Sequence, residues 1–273
     1  MTRPLREKSS TGIYHVMLRG VNRQIIFEEP GDYHKFIGLL RHSVSPTDEF
    51  GKPLPSRCSI FAYCIMPNHV HLIIQEKQEC LSETVRFIAT AYALYYNKKY
   101  ERCGHLFQDR FKSEPVNDFA YFVTLLRYVH QNPVAGGLCL QVKDYEWSSW
   151  GEYLATQRTQ RGQTQRGQAL VCPICDVSAV LRRIPIEELQ ELVNEPLRKT
   201  AQILDFDKRR GSVTNDEIIG YLADNYGLRH PVDLQLYSKE RRNDILRDCK
   251  ELGASIRQLS RLTGFSERIV RDA

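Results

Sequence analysis

The amino-acid sequence predicts an α+β fold: an antiparallel sheet with helices on one face, followed by a helical C-terminal region. Three observations predict it. Short β-rich runs and longer stretches at helical spacing alternate through the first half of the chain. A polar five-residue repeat then interrupts the pattern. Beyond the repeat, helical periodicity dominates. The 273 residues suit one large domain or two modest ones, at roughly 100–200 residues per domain. Hydrophobic residues make up 42% and charged residues 26%, which excludes wholesale disorder.

The first β-rich run is Ile13 to Arg19. Glu28 to Val44 follows with helical spacing, through Phe36, Leu39 and Leu40. Pro46 to Ser56 holds three prolines and a glycine and reads as a loop. Ser59–Ile65 and Val70–Ile74 form two strands around Met66-Pro67-Asn68, whose Pro-Asn pair suits the centre of a tight turn. Leu81 to Tyr100 is helical, with Val85, Ile88, Tyr92 and Tyr96 on or near one face. Arg110 to Val116 is a fourth strand. Asp118 caps a helix that runs to Gln131, and Pro133 with Gly136-Gly137 closes it. Up to that last helix, the order is that of the ferredoxin-like split βαβ motif.

Thr159-Gln160-Arg161-Gly162-Gln163 recurs as Thr164-Gln165-Arg166-Gly167-Gln168. A tract of this composition cannot bury a core and reads as a flexible linker. After it, helices are expected at Glu187–Leu197, Asn215–Tyr226 and Lys239–Leu252. Ser255 to Arg271 has the pattern of a helix-turn-helix. Gly264 supplies the turn, Ser266 caps the second helix, and Ile256, Leu259, Leu262, Phe265 and Ile269 form a small core. Arg268 and Arg271 would then reach duplex DNA; a generic helical hairpin has the same outline.

The net charge is only +5, which permits a nucleic-acid partner without requiring one. No apolar run approaches the roughly 18 residues of a membrane helix, and the N-terminus lacks a signal-peptide core, so the expected location is the cytoplasm. The eight cysteines are scattered and read mostly as reduced, partly buried thiols. Cys172-Pro173-Ile174-Cys175 is half of a zinc site at most. A closed site needs four ligands, and two incidental thiols are the simpler reading.

Chemistry concentrates in Met66-Pro67-Asn68-His69-Val70-His71-Leu72. Histidines two apart in a strand share a face, where both imidazoles can grip one metal ion. Two polar residues at a strand edge would give the same pattern. Tyr128 and Asn132, four apart, share a helical face. The amide oxygen could add a harder ligand, and the phenol could act as a nucleophile. Tyr128 would equally serve as a core tyrosine, and Asn132 as a helix-ending residue before Pro133. Tyr92, Tyr95 and Tyr96 suit core packing and lack an adjacent amide–proline signature. His130 points away from Tyr128. Arg110, Lys112 and Arg127 could meet phosphates, and His15 and Arg19 could line the same surface.

Three ordered segments carry a resemblance. They are the Met66–Leu72 run, Gly104-His105-Leu106-Phe107-Gln108-Asp109-Arg110-Phe111-Lys112-Ser113, and Tyr128-Val129-His130-Gln131-Asn132-Pro133-Val134. From about Ile13 to Tyr153 the sequence resembles the HUH-type tyrosine transposases, nearest the REP-associated branch. The resemblance implies a metal-dependent strand transferase acting on single-stranded, hairpin-flanked DNA through a 5′-phosphotyrosine. It implies that His69 and His71 hold Mg2+ or Mn2+, that Asn132 stands where the family places a polar ligand, often Gln, and that Tyr128 attacks. The family contains monomers and homodimers. The expected division is a catalytic domain over 1–155, a linker over 156–170, a helical connector over 171–237 and a helix-turn-helix unit over 238–273. Two other functions fit the same residues: a DNA-binding regulator that kept the fold, and a metal nuclease that uses water.

Overall fold

The protein is described here by a computed structural model covering residues 6–160, 173–195, 213, 215–228 and 230–273. It divides into two units, Met1–Leu204 and Asp205–Ala273.

Four strands build the sheet of the first unit: β1 (Ile13–Arg19), β2 (Cys58–Met66), β3 (His69–Glu76) and β4 (Lys112–Pro115). Their order is β2-β3-β1-β4, with every pair antiparallel, as the ferredoxin-like reading requires. The β2–β3 hairpin closes at Pro67-Asn68, with Met66 opposite His69. A register shift between Ile60 and Ala62 kinks β2. In the centre of the sheet, Met17 lies opposite His71, Arg19 opposite His69 and His15 opposite Glu114.

Helices α1 (Pro30–Val44) and α2 (Leu81–Lys99) pack on each other, and their apolar stripes enter one core with the sheet. Val16, Leu18, Val70, Leu72 and Ile74 alternate into that core, each at most 2% exposed. Helix α3 (Phe119–Ala135) opens at Asp118, whose carboxylate accepts from Tyr121 N–H at 2.8 Å. It lies along β2 and β3, and Tyr128 faces the histidines of the opposite sheet surface. The sheet is thus buried on both sides.

Helix α3 does not stop at Gln131. It runs through Pro133 to Ala135, because a proline near a helix end removes only one hydrogen bond there. Helix α4 (Trp150–Gln160) was not legible in the sequence. It buries Trp150 and Tyr153, and the Tyr153 hydroxyl donates to Phe61 O at 2.6 Å. Residues 156–160, expected in the linker, are its last turn and a half; 161–170 lie outside the described residues.

The expected connector is not one piece. Helices α5 (Val177–Leu181) and α6 (Ile186–Asn194) belong to the first unit, with α6 on α3. Cys175 is buried there, bridged to Ile60 of β2; Cys172 lies outside the described residues. The described cysteines are all free thiols. Burial raises Cys58 to about 12 and Cys249 to about 11, so both stay protonated.

The second unit holds α7 (Asn215–Tyr226), a 3-10 turn (Pro231–Leu236), α8 (Lys239–Glu251), α9 (Ile256–Thr263) and α10 (Glu267–Asp272). Ser255 and Gln258 form a capping box on α9. Gly264 ends that helix at φ 75°, a left-handed position that suits glycine. Ser266 caps α10. Leu259 and Val270 are buried in the core, with Ile256, Leu262 and Phe265 against it. Val270 takes the place expected for Ile269.

Among the described residues, no helix is long and apolar enough to cross a membrane.

Candidate metal and tyrosine site

The Pro67-Asn68 turn is fixed by the loop after β1. Gly20 N–H donates to Asn68 O at 2.9 Å, and Ile26 and Phe27 N–H donate to Pro67 O at 2.8 and 3.1 Å. A Cβ on residue 20 would lie 2.4 Å from Gln24 O, so this close approach needs glycine. The segment around Phe107 runs beside the same loop. Val21 N–H donates to Leu106 O and Gln108 N–H to Arg19 O.

The Asn68 side chain then orients His69. Its Nδ2 donates to Arg23 O at 3.2 Å, which turns Oδ1 toward His69 Nδ1 at 2.6 Å. An amide oxygen only accepts, so the His69 proton sits on Nδ1 and Nε2 carries the lone pair. His71 is 0% exposed. Its Nδ1 lies 3.0 Å from Nε2 of the equally buried His15, while its own Nε2 is buried with no hydrogen-bond partner. Burial, followed by the neighbouring His69, His15 and Arg19, holds His71 well below its ordinary 6.5. It is neutral near pH 7, the form in which imidazole binds metals.

Tyr128 closes the site. Its ring stands edge-on to His71, at 5.3 Å and 89°, and to His15, at 5.9 Å and 79°. His69 and His71 are themselves edge-on at 4.9 Å. Asn132 Nδ2 donates to the Tyr128 carbonyl at 2.8 Å, which leaves its oxygen as the atom suited to a ligand role. The structure thus groups Tyr128 with the histidines, whereas the hydrogen bond of Asn132 is to its own helix. Tyr121, seven residues before Tyr128, has its phenol pushed up by burial and then by the Glu114 carboxylate. His130 points elsewhere, as expected. It is buried, with Nδ1 2.8 Å from Leu126 O and Nε2 2.8 Å from Ser149 Oγ, and burial lowers it to about 4.

The donor set fits a divalent ion held by two neutral imidazoles, since His71 presents a buried nitrogen with no protein partner. Among the described residues, no cluster of three or more His, Cys, Asp or Glu could hold a metal. Further ligands would have to be oxygens of other kinds, such as the Asn132 amide.

The basic residues separate into groups. Arg110 is exposed just before β4, and Lys112, half-buried, is the first residue of that strand. Arg19 is 6% exposed and lies inside, opposite His69, so it is not an open surface contact. Arg127 is tied to α6: its Nε donates to Glu195 O at 2.9 Å, and its guanidinium lies 3.5 Å from the Glu195 carboxylate. Arg268 and Arg271 are exposed on α10, with Arg268 3.8 Å from Asp272. Sequence reading missed Asn68 and Glu114 and gave His15 a surface role. The same-face alternation of His15 with Arg19 was the available signal.

Residues 8–132 match the family model described as Transposase IS200 like. The N-terminal unit resembles the IS200-like transposases. A Haemophilus influenzae protein assigned by name as a REP-associated tyrosine transposase is 30% identical over 101 residues, 33% of this chain and 57% of that protein. The chain therefore matches little more than half the length of this curated relative. A solved structure of a REP-associated tyrosine transposase bound to a REP hairpin aligns at a TM-score of 0.46 and 18% identity, over 60% of this chain and 89% of that one. The three transposase-like segments converge on the site: the first holds the His pair, the second braces the loop beside it, and the third carries Tyr128.

Proposed function

We propose that the protein is a single-strand DNA transposase that nicks and rejoins DNA through a 5′-phosphotyrosine, with a divalent metal at His69, His71 and Asn132. The observation that carries this reading is the Tyr128 ring set edge-on against His71, whose Nε2 is buried without a partner. In the forward step the Tyr128 oxygen attacks a backbone phosphorus and the bond to the 3′ oxygen breaks. The phenol gives up its proton on attack, the 3′ oxygen takes one up and leaves as a 3′-hydroxyl, so protons balance, and the phosphate stays on Tyr128. Attack by a 3′-hydroxyl reverses the step and rejoins the strand, so no energy cofactor is needed. Bound Mg2+ or Mn2+ would polarise the phosphoryl oxygens and offset developing charge.

The substrate we infer is hairpin-flanked single-stranded DNA, in line with the name and bound hairpin of the relatives. Arg110 and Lys112 are the proposed phosphate contacts of the N-terminal unit. The α9–α10 pair is proposed as a helix-turn-helix that presents Arg268 and Arg271 to duplex DNA. The cell compartment implied is the cytoplasm.

The test is a denaturing gel with labelled, hairpin-flanked single-stranded DNA and Mg2+ or Mn2+. Wild type should give a protein-linked band, and Tyr128→Phe should bind DNA without forming it. Cleavage without any protein-linked product would replace the reading with a water-using nuclease. DNA binding without cleavage would replace it with a regulator.

A further inference from the structure

The two histidines of the pair are held in different ways. His69 meets an amide oxygen at Nδ1, which can only accept. His71 meets another imidazole, and an imidazole nitrogen can donate or accept. The tautomer of His71 is therefore decided by whatever decides the tautomer of His15.

The far side of His15 supplies the answer. Its Nδ1 is buried without a hydrogen-bond partner, and the Glu114 carboxylate lies 3.9 Å from it. Glu114 sits directly opposite His15 in the β1–β4 register, so the backbone sets this placement. With one proton on each ring, two arrangements are open. If His15 Nε2 donated, the His71 proton would sit on Nε2, where nothing accepts it, and a His15 lone pair would face a carboxylate. If His71 Nδ1 donates, His15 carries its proton on Nδ1, toward Glu114, and His71 Nε2 holds a lone pair. The second arrangement turns the one donor left without a hydrogen bond toward a carboxylate at 3.9 Å instead of into a site with no acceptor, and it removes the lone-pair repulsion.

We propose that His15, polarised by Glu114, is a positioning residue that fixes His71 with its proton on Nδ1 and its Nε2 lone pair turned into the site. The chain Glu114–His15–His71 does for one histidine what Asn68 does for the other. Outer partners of this kind typically set metal affinity by about 10–100-fold. Nearly parallel rings, at 15° and 5.2 Å, and complete burial leave His71 little room to turn. The consequence for metal affinity rests on the metal reading above; the tautomer itself does not.

Two measurements keep the two apart. Long-range 15N–1H correlation spectra of the metal-free full chain report which nitrogen of His71 is protonated. Wild type should show Nδ1 protonated, and Glu114→Ala should shift population toward Nε2. Mn2+ titration followed by electron paramagnetic resonance should show binding weakened about 10–100-fold in His15→Leu. His15→Gln should stay within a few-fold of wild type, because its amide oxygen reaches the place of Nε2 and still accepts. A wild-type His71 protonated on Nε2 would overturn the proposal. So would unchanged Mn2+ affinity in a folded His15→Leu. Failure of wild type to bind Mn2+ would instead sink the metal reading, and the tautomer spectrum would still decide the positioning role.

Discussion

Asp32 offers a sharp test of what holds the first unit together. Its carboxylate is 0% exposed, one turn into α1. One oxygen accepts from the Glu28 and Glu29 amides, at 2.9 and 3.2 Å, and from the Tyr100 hydroxyl at 2.7 Å. The other accepts from Lys99 Nζ at 2.5 Å and Tyr95 OH at 3.0 Å. In Asp32→Asn the amide oxygen must serve the two backbone amides, which turns its NH2 against the Lys99 ammonium. Breaking a buried pair of this sort costs about 3–5 kcal/mol. The low end applies, since Lys99 keeps Glu29 at 2.6 Å and its side chain is 26% exposed. For a unit of this size, about 3 kcal/mol lowers Tm by about 6–12 °C.

The pH dependence has a definite sign. Burial pushes the Asp32 carboxyl up, but Lys99, Tyr100 and the two amides outweigh it and hold it below its ordinary 3.8. The stabilisation is therefore complete above 3.8 and fades as pH falls through the lower folded value. Urea melts of both proteins near pH 7 should show the gap, and melts well below 3.8 should show it closing. Equal midpoints near pH 7, or a gap independent of pH, would refute the argument. Metal affinity of the folded variant should be unchanged, because the network lies between α1 and α2.

Three further outcomes are expected. Asn68→Ala removes the acceptor at His69 Nδ1 and should weaken Mn2+ binding by about 10-fold or more in a titration. Ser149→Ala strands Tyr63 N–H and His130 Nε2, both buried, and should lower the unfolding free energy by about 1–3 kcal/mol in urea. Gly264→Ala places a methyl at φ 75° and 2.6 Å from Gln235 Nε2. It should loosen the second unit by about 1–2 kcal/mol, seen as faster amide exchange in α9 and α10 with the first unit unaffected.

Much of the fold was legible because its signals are local. Alternation marked β1, Pro67-Asn68 marked the hairpin turn, and Asp118 marked the start of α3. The His69/His71 spacing and the Tyr128/Asn132 face were equally local. What escaped depends on pairing between distant segments. His15 faces Glu114 only through the β1–β4 register, which alternation within one strand does not fix. Helix α4 was hidden because the polar repeat overlaps its end, while its Trp150 and Tyr153 are buried by partners far away in sequence. Arg127 pairs with Glu195 just past the end of α6, a partner 68 residues away that no local pattern displays.

The clasp between α3 and α6 bears on how much of the chain the Tyr128 helix needs. Gln131 is 6% exposed and donates to the carbonyls of Val193 and Glu195, at 2.6 and 2.9 Å. Similarity to the transposase model stops at residue 132, yet the helix that carries Tyr128 is secured by atoms some sixty positions downstream. A fragment cut at the similarity border would leave that glutamine's amide without its carbonyls and would strip the cover from α3. The smallest piece with a properly seated tyrosine therefore extends through Glu195, so the stretch that matches the transposase model is shorter than the stretch whose contacts hold α3 in place.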